Sequence, residues 1–335
     1  MTKIGVPGLC IALIQDAKIL WHRGFGVRYV TTKEPVTDET VYEAASLSKP
    51  TFAYAMLKMV ERGILGLDDP LDQILPMPFM PSEPRLKLIT ARMLLSHTSG
   101  LPAARVKGRP LEFVLDPGKG FHYSPTGFDY LQSVVRHLSK QALADFMRTN
   151  VIEPFGLLNT SFGWIDKYSA QIAQAYDKRG VPGQTFNERY RTATEEWRKA
   201  VAEDFPDLSY PSAAAGMYTT ALDFARFMIE IVAPSRKDAW HLSESTSNEM
   251  LKPQVEVGRD VSWGLGWGLL RAGSGDAFWH WGNWAGLYHH FAITLRDGRK
   301  GVVIMTNSGN GLKLCQQLTP MAIGIDIKPL SGFLR

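Results

Sequence analysis

The sequence predicts an α/β fold: an antiparallel sheet flanked by helices and built from both chain ends, with an all-α domain inserted between them. Short apolar, β-prone runs sit near the N-terminus and after residue 260, while the chain between them shows helical periodicity broken by loops. With 335 residues and 45% of them hydrophobic, the chain can also bury a large core. The expected division is residues 1–65 with 240–335 as a discontinuous α/β domain, and 66–239 as the helical insertion. The junction of two such domains is a common place for a ligand cleft.

In chain order, Leu9 to Gln15 and Lys18 to Gly26 read as a hairpin that turns at Asp16-Ala17. Pro50 to Arg62 reads as a helix: Pro50 falls in the first turn, where a missing N–H is harmless, and Gly63 suits the C-terminal cap. Helical periodicity recurs over Ala91–Leu95, Gly127–Leu138, Ala142–Asn150 and Ala221–Val232. The stretch Arg179 to Pro211 carries Phe186, Tyr190, Trp197, Phe205 and Tyr210 among Arg and Glu residues. It reads either as a lid or pocket wall or as a surface helix packed through its apolar face. Strands are expected at Trp263–Leu270, Ala277–Trp281, Tyr288–Leu295 and Gly301–Thr306, with Arg296-Asp297-Gly298-Arg299 as the turn joining the last two.

Composition removes several function classes. The 37 basic and 33 acidic residues give a net charge of +4 and are spread along the chain, so no patch calls for nucleic acid. Cys10 and Cys315 lie far apart and show no zinc spacing, which points to buried free thiols rather than a metal site. No charged segment precedes a long apolar core, and no apolar run spans a bilayer. The expectation is a cytoplasmic protein with a small-molecule substrate and no membrane partner. There is no G-x-S-x-G elbow, no H-E-x-x-H and no Walker A loop.

The chemistry concentrates at Ser46-Leu47-Ser48-Lys49, the one S-x-x-K in the chain. A serine hydroxyl is a poor nucleophile until a base takes its proton. Residues three apart share a helix face, so Lys49 falls within reach of the Ser46 oxygen. Ser46 then sits at a helix N-terminus, where free N–H groups favour a developing oxyanion. Several apolar residues surround Lys49, so partial burial is expected to lower its pKa and let the amine accept that proton.

Around this motif the chain resembles the serine β-lactamase, DD-peptidase and carboxylesterase family, in particular its class C-like branch and family VIII-like esterases. The resemblance is carried by Gly5-Val6-Pro7-Gly8-Leu9, Pro35-Val36-Thr37-Asp38-Glu39-Thr40, Gly66-Leu67-Asp68-Asp69-Pro70 and Leu94-Leu95-Ser96-His97-Thr98-Ser99-Gly100-Leu101. It continues through Tyr123-Ser124, Glu153-Pro154-Phe155-Gly156-Leu157, Ala215-Gly216-Met217-Tyr218-Thr219, Trp263-Gly264-Leu265-Gly266-Trp267 and His280-Trp281-Gly282, from about residue 4 to about 310. It implies a β-lactamase/transpeptidase-like fold and a serine hydrolase that needs no metal or organic cofactor.

The resemblance further implies that Ser46 is the nucleophile, that Lys49 and Tyr123 relay protons, and that the N–H groups of Ser46 and Asn283 form the oxyanion hole. Two cationic neighbours would bring the Tyr123 phenolate within reach. His280, Trp281 and Gly282 line the cleft, with His280 either in the electrostatic role that lysine has elsewhere or held as an aromatic spacer between Trp279 and Trp281. His97 reads as part of a structural loop, and His289 and His290 have no ligand spacing. One departure stands out: the family's Tyr-x-Asn is Tyr123-Ser124-Pro125 here, so the amide that holds the lysine and the substrate's acyl amide is missing. The expected activity is a carboxylesterase working through a Ser46 acyl-enzyme. The alternatives are a β-lactamase or D-amino-acid peptidase, an acyltransferase, and a non-catalytic binding or scaffold protein on the same fold.

Overall fold

The computed structural model describes residues 1–77, 83–104, 111–196, 210–234 and 240–334. The N-terminal hairpin is present: β1 (Gly8–Gln15) pairs antiparallel with β2 (Lys18–Tyr29). Asp16 and Ala17 both adopt positive φ, the geometry of the tight turn that matches strand twist. Alternate residues of β1 enter opposite cores, Cys10, Ala12 and Ile14 on one face and Leu9 and Ile11 on the other. That double burial is why the strand reads as a continuous apolar run rather than an alternating one.

Two further short strands follow, β3 (Glu34–Pro35) and β4 (Tyr42–Glu43). Helix α1 (Ser48–Glu61) comes next, then α2 (Ala91–Leu95) and α3 (Pro125–Ser139). Helix α4 (Leu143–Met147) ends where a wider π-turn takes over at Arg148–Ile152, so the expected helix to Asn150 is α-helical only in its first half. Then come β5 (Ser161–Phe162), α5 (Phe186–Thr192), β6 (Met217–Thr219), α6 (Ala221–Val232) and α7 (Glu244–Met250). The C-terminal part holds β7 (Val255–Gly258), β8 (Val261–Trp263), β9 (Gly268–Ala272), β10 (Gly275–Trp284), β11 (Tyr288–Leu295), β12 (Lys300–Thr306) and α8 (Gly311–Ile323). The single strand expected over Trp263–Leu270 is two strands, because Gly264–Trp267 turns the chain back, with Gly266 at φ +84°.

Among the described residues the main sheet is antiparallel, in the order β3-β2-β1-β12-β11-β10-β9-β8-β7, so both chain ends meet at the β1–β12 pair. Helix α8 covers one face against β11 and β12, and α6 lies on β1, β2 and β12. Thus α6 packs on the sheet although its residues fall in the stretch expected for the helical insertion. A second small sheet, β4-β6-β5, has strands too short to show a sequence pattern. Both cysteines are free and buried. Among the described residues no helix is long and apolar enough to cross a membrane.

Candidate active site

Ser46 lies in a single 3-10 turn, Ala45–Leu47, that runs directly into α1. Ala45 has φ +49°, a left-handed conformation that costs a non-glycine residue roughly 1–2 kcal/mol. The surroundings hold it there. The Ala44 N–H donates to the Met217 carbonyl at 2.8 Å. The Ser48 hydroxyl donates to the Ala45 carbonyl at 2.6 Å and accepts the Met217 N–H at 3.0 Å. The other end of α1 closes as expected: Gly63 takes φ +65°, and the Ile64 N–H returns to the Met59 carbonyl at 3.0 Å.

Lys49 is 1% exposed and donates from Nζ to Ser46 Oγ at 3.0 Å and to the Ala214 carbonyl at 2.9 Å. Burial disfavours its ammonium form and brings its pKa down from 10.5 to about 7, against the opposing pull of the Asp129 charge. Glu61, further along α1, pairs with Lys58 rather than with Lys49. The nearest π-faces are Tyr123, with its ring centre 5.0 Å from Nζ, and Phe128 at 5.7 Å.

Tyr123 is brought to the same spot by the loop that starts α3. Ser124 caps that helix through Gly127 N–H at 3.1 Å, and Pro125 occupies the first helical position, where its missing N–H costs nothing. His97, in a left-handed conformation (φ +56°), accepts the Ser124 N–H on Nδ1 at 3.0 Å and lies against the Tyr123 ring at 4.3 Å between centres. That bond places the imidazole proton on Nε2. His97 thus holds the tyrosine loop, the structural role expected of it. The phenolate expected for Tyr123 is corrected. Burial of the hydroxyl raises its pKa well above the ordinary value, and the contact with Ser46 lowers it by less.

Strand β10 passes beside the Ser46 turn. A side chain added at Gly282 would lie 2.5 Å from the Ala44 carbonyl oxygen, so the glycine is what lets the strand approach. Asn283 follows it on the exposed side, its Oδ1 accepting the Gly286 N–H at 3.0 Å. His280 is fully buried, stacked on Trp281 at 5.1 Å and edge-on to Trp263 and Trp267. Its Nδ1 lies 2.7 Å from the Trp281 carbonyl, so the proton sits there, and burial brings its pKa down to about 3. Burial thus works against the electrostatic, lysine-like role for His280, because it favours the neutral ring. Trp281 reaches the Tyr123 ring at 5.0 Å. His289 is buried with neither ring nitrogen hydrogen-bonded, while His290 Nε2 meets the Glu43 carbonyl at 2.9 Å.

The structure thus brings Ser46, Lys49, Tyr123, His280, Trp281 and Gly282 together. Sequence reasoning missed Ser48 and Ala214, which hold the Ser46 turn and Lys49, and Asp129, whose charge opposes the fall in the Lys49 pKa. Ser48 carried a faint signal, as a polar residue in the first turn of an apolar helix. Ala214 acts through its carbonyl and has no side-chain signature. Among the described residues there is no group of His, Cys, Asp and Glu arranged to hold a metal. Trp197 and Phe205 of the variable stretch lie outside the described residues. Within it, Thr185 donates to the Glu43 carboxylate at 2.5 Å, Arg191 lies 4.1 Å over Trp164, and Tyr190 stacks on Tyr210. The stretch is thereby tied to the strand that leads into Ser46.

A family model described as Beta-lactamase matches residues 1–317. Esterase EstB of Burkholderia gladioli is 28% identical, over 90% of this chain and 86% of that protein. Penicillin-binding protein 4* of Bacillus subtilis is 25% identical, over 88% of this chain but 66% of its own length. The crystal structure of the D-alanine carboxypeptidase AmpC from Burkholderia cenocepacia superposes with a TM-score of 0.75 at 19% identity, over 96% of this chain and 95% of that one.

Proposed function

We propose that this chain, which belongs to the beta-lactamase family of serine hydrolases, is a carboxylesterase that works through an acyl-enzyme at Ser46. The observation that carries the proposal is the 3.0 Å contact between Ser46 Oγ and a buried Lys49 whose pKa lies at about 7. At neutral pH and above, a large share of Lys49 is free amine, which takes the Ser46 proton as the oxygen attacks the ester carbonyl. The tetrahedral oxyanion forms between the backbone N–H groups of Ser46 and Asn283. Tyr123 remains a hydroxyl, so it works as a donor: it passes its proton to the departing alkoxide and recovers one from the Lys49 ammonium. Water then enters, gives its proton back along the same route and releases the acid.

Three features support esters over peptides or β-lactams. Pro125 presents no amide to the substrate. His280 is neutral and packed among rings, so it offers no charge to a substrate carboxylate. Trp281 adds an apolar surface beside Tyr123. The second reading is a β-lactamase or D-amino-acid peptidase, and the similarity to a protein named for penicillin binding keeps β-lactams in the panel. The test is a panel of short-chain p-nitrophenyl esters, nitrocefin and D-alanyl amides, with fluorophosphonate labelling of wild type and Ser46→Ala. The proposal requires labelling at Ser46 and a higher kcat/KM for esters than for nitrocefin. Faster hydrolysis of nitrocefin than of every ester would overturn the ester assignment, and labelling retained in Ser46→Ala would overturn the nucleophile.

A further inference from the structure

We infer that Asp129 and Gln132 on α3 are positioning residues for the base, holding Lys49 through the backbone of the 211–214 loop, and that Asp129 also supplies its counter-charge. This rests on Lys49 being the base. The two residues are three apart and share a helix face. From that face Asp129 Oδ1 accepts the Ser212 hydroxyl at 2.7 Å, and Ser212 Oγ in turn accepts the Ala214 N–H at 3.0 Å. Gln132 donates from Nε2 to the Pro211 carbonyl at 3.0 Å and accepts the Ala213 N–H on Oε1 at 2.6 Å. Pro211, Ser212, Ala213 and Ala214 are thus each anchored to α3, directly or through one hydroxyl. The Ala214 carbonyl, in the next peptide group along, receives Lys49 Nζ at 2.9 Å, and that group's own N–H, of Ala215, donates to the Ser212 carbonyl at 3.2 Å.

The Ala215 and Gly216 N–H groups close a local turn on the Ser212 carbonyl at 3.2 and 2.6 Å, and the Ala213-Ala214-Ala215 methyls carry no polar group, so the α3 side chains are what fix where that turn sits. Gln132 is buried among Tyr130, Leu131, Val134 and Val135, where an amide costs free energy unless both ends are bonded, and both are. Structure alone does not demand this expense on a helix that could carry another apolar residue. A fixed acceptor for the base does. Of the titratable groups around Lys49, Tyr123 stays protonated, and His97 and His280 stay neutral through burial. Asp129 is the group whose negative charge favours the Lys49 ammonium. The base therefore sits between desolvation, which drains its proton, and one carboxylate beyond a hydroxyl, which retains it.

The test is the pH dependence of acylation from pH 5.5 to 9, read with a p-nitrophenyl ester and a fluorophosphonate on the full chain. Asp129→Asn keeps an acceptor oxygen for Ser212 and removes the charge, so the rising limb should move to lower pH by about half a unit or more. Ser212→Ala leaves the charge and cuts the relay to Ala214, so kcat should fall roughly tenfold with little change in KM, because the base is misplaced rather than the substrate. A limb in Asp129→Asn that overlays wild type, or a Ser212→Ala enzyme with wild-type kcat, overturns the inference. If Asp129→Asn does not fold, Ser212→Ala decides alone. Ser46→Ala and Lys49→Ala are run beside them. If both are inactive while the α3 and loop variants behave as wild type, only the positioning role fails, and if either is active the reading of the site itself fails.

Discussion

Replacing Lys49 by Met should make the protein more stable at pH 6 and less so as the pH rises, a result opposite to the usual effect of deleting a buried, hydrogen-bonded side chain. The native pKa of Lys49 is about 7, because the side chain is 1% exposed. In the unfolded chain the same amine returns to the ordinary lysine value, about 3.5 units higher, which corresponds to ~5 kcal/mol of native-state penalty. Between about pH 7 and about pH 10.5 the unfolded chain holds a proton that the native state has released. Wild-type stability therefore gains ~1.4 kcal/mol per pH unit from this residue over that window, and the full penalty persists below it. Met keeps the length and the apolar packing but forfeits the bonds to Ser46 and Ala214, at about 0.5–1.5 kcal/mol each. The variant should thus be about 2–4 kcal/mol more stable at pH 6, with the gap closing near pH 9.

Urea unfolding of both proteins at pH 6, 7, 8 and 9 reads this directly, since every other titrating group is common to the pair and cancels in the difference. A gap that stays constant across the series would refute the reasoning. It would mean that Lys49 keeps an ordinary pKa in the folded protein, and the amine would then be a poor base at neutral pH.

Other outcomes follow from the same geometry. Ser46→Ala should lose roughly three or more orders of magnitude in kcat, measured with p-nitrophenyl butyrate. Acylation in wild type should rise with pH through a limb near the Lys49 value of about 7, and the limb should survive in Tyr123→Phe, since the tyrosine does not ionise in this range. Tyr123→Phe should slow alkyl esters more than p-nitrophenyl esters, because a nitrophenolate leaves without a proton; equal losses would remove the donor role. Gly282→Ala should destabilise by about 1–3 kcal/mol and depress kcat, because the new methyl meets the Ala44 oxygen at 2.5 Å. Pro125→Asn fits the first turn of α3 and should narrow the gap between ester and nitrocefin turnover.

What the sequence made legible was whatever repeats along the chain. The β1–β2 hairpin showed because both faces of β1 are buried, and α3 showed because its apolar face recurs over four turns. The β4-β6-β5 sheet did not, since strands of two or three residues have no period, and Gly264–Trp267 looked like strand because the buried Trp263 and Trp267 bracket the turn. At the site, S-x-x-K spacing located Ser46 and Lys49, and the resemblance located Tyr123 and His280. The carbonyl of Ala214 was invisible because it is a backbone atom, and its anchors on α3 because Asp129 and Gln132 meet a loop 79 to 83 residues further along the chain.

Charge state was the other thing that residue types could not give. Lys49, Tyr123 and His280 look in sequence like a cluster that charges could tune, with a histidine standing in for a second cation. In the fold all three are desolvated together, and each responds by moving toward its neutral form: the amine loses its proton near pH 7, the phenol keeps its own, and the imidazole stays uncharged. With Ser46 as the proposed nucleophile no phenolate is needed, because a neutral amine at hydrogen-bond distance is already placed to act as base. The same neutrality works against substrates that carry a carboxylate, whose desolvation on entering this cluster would go uncompensated by His280. An uncharged ester loses little on entry and meets its first full charge only as the oxyanion forms. On the proposed acyl-enzyme reading, the balance of protons that would activate Ser46 thus also favours an uncharged acyl donor.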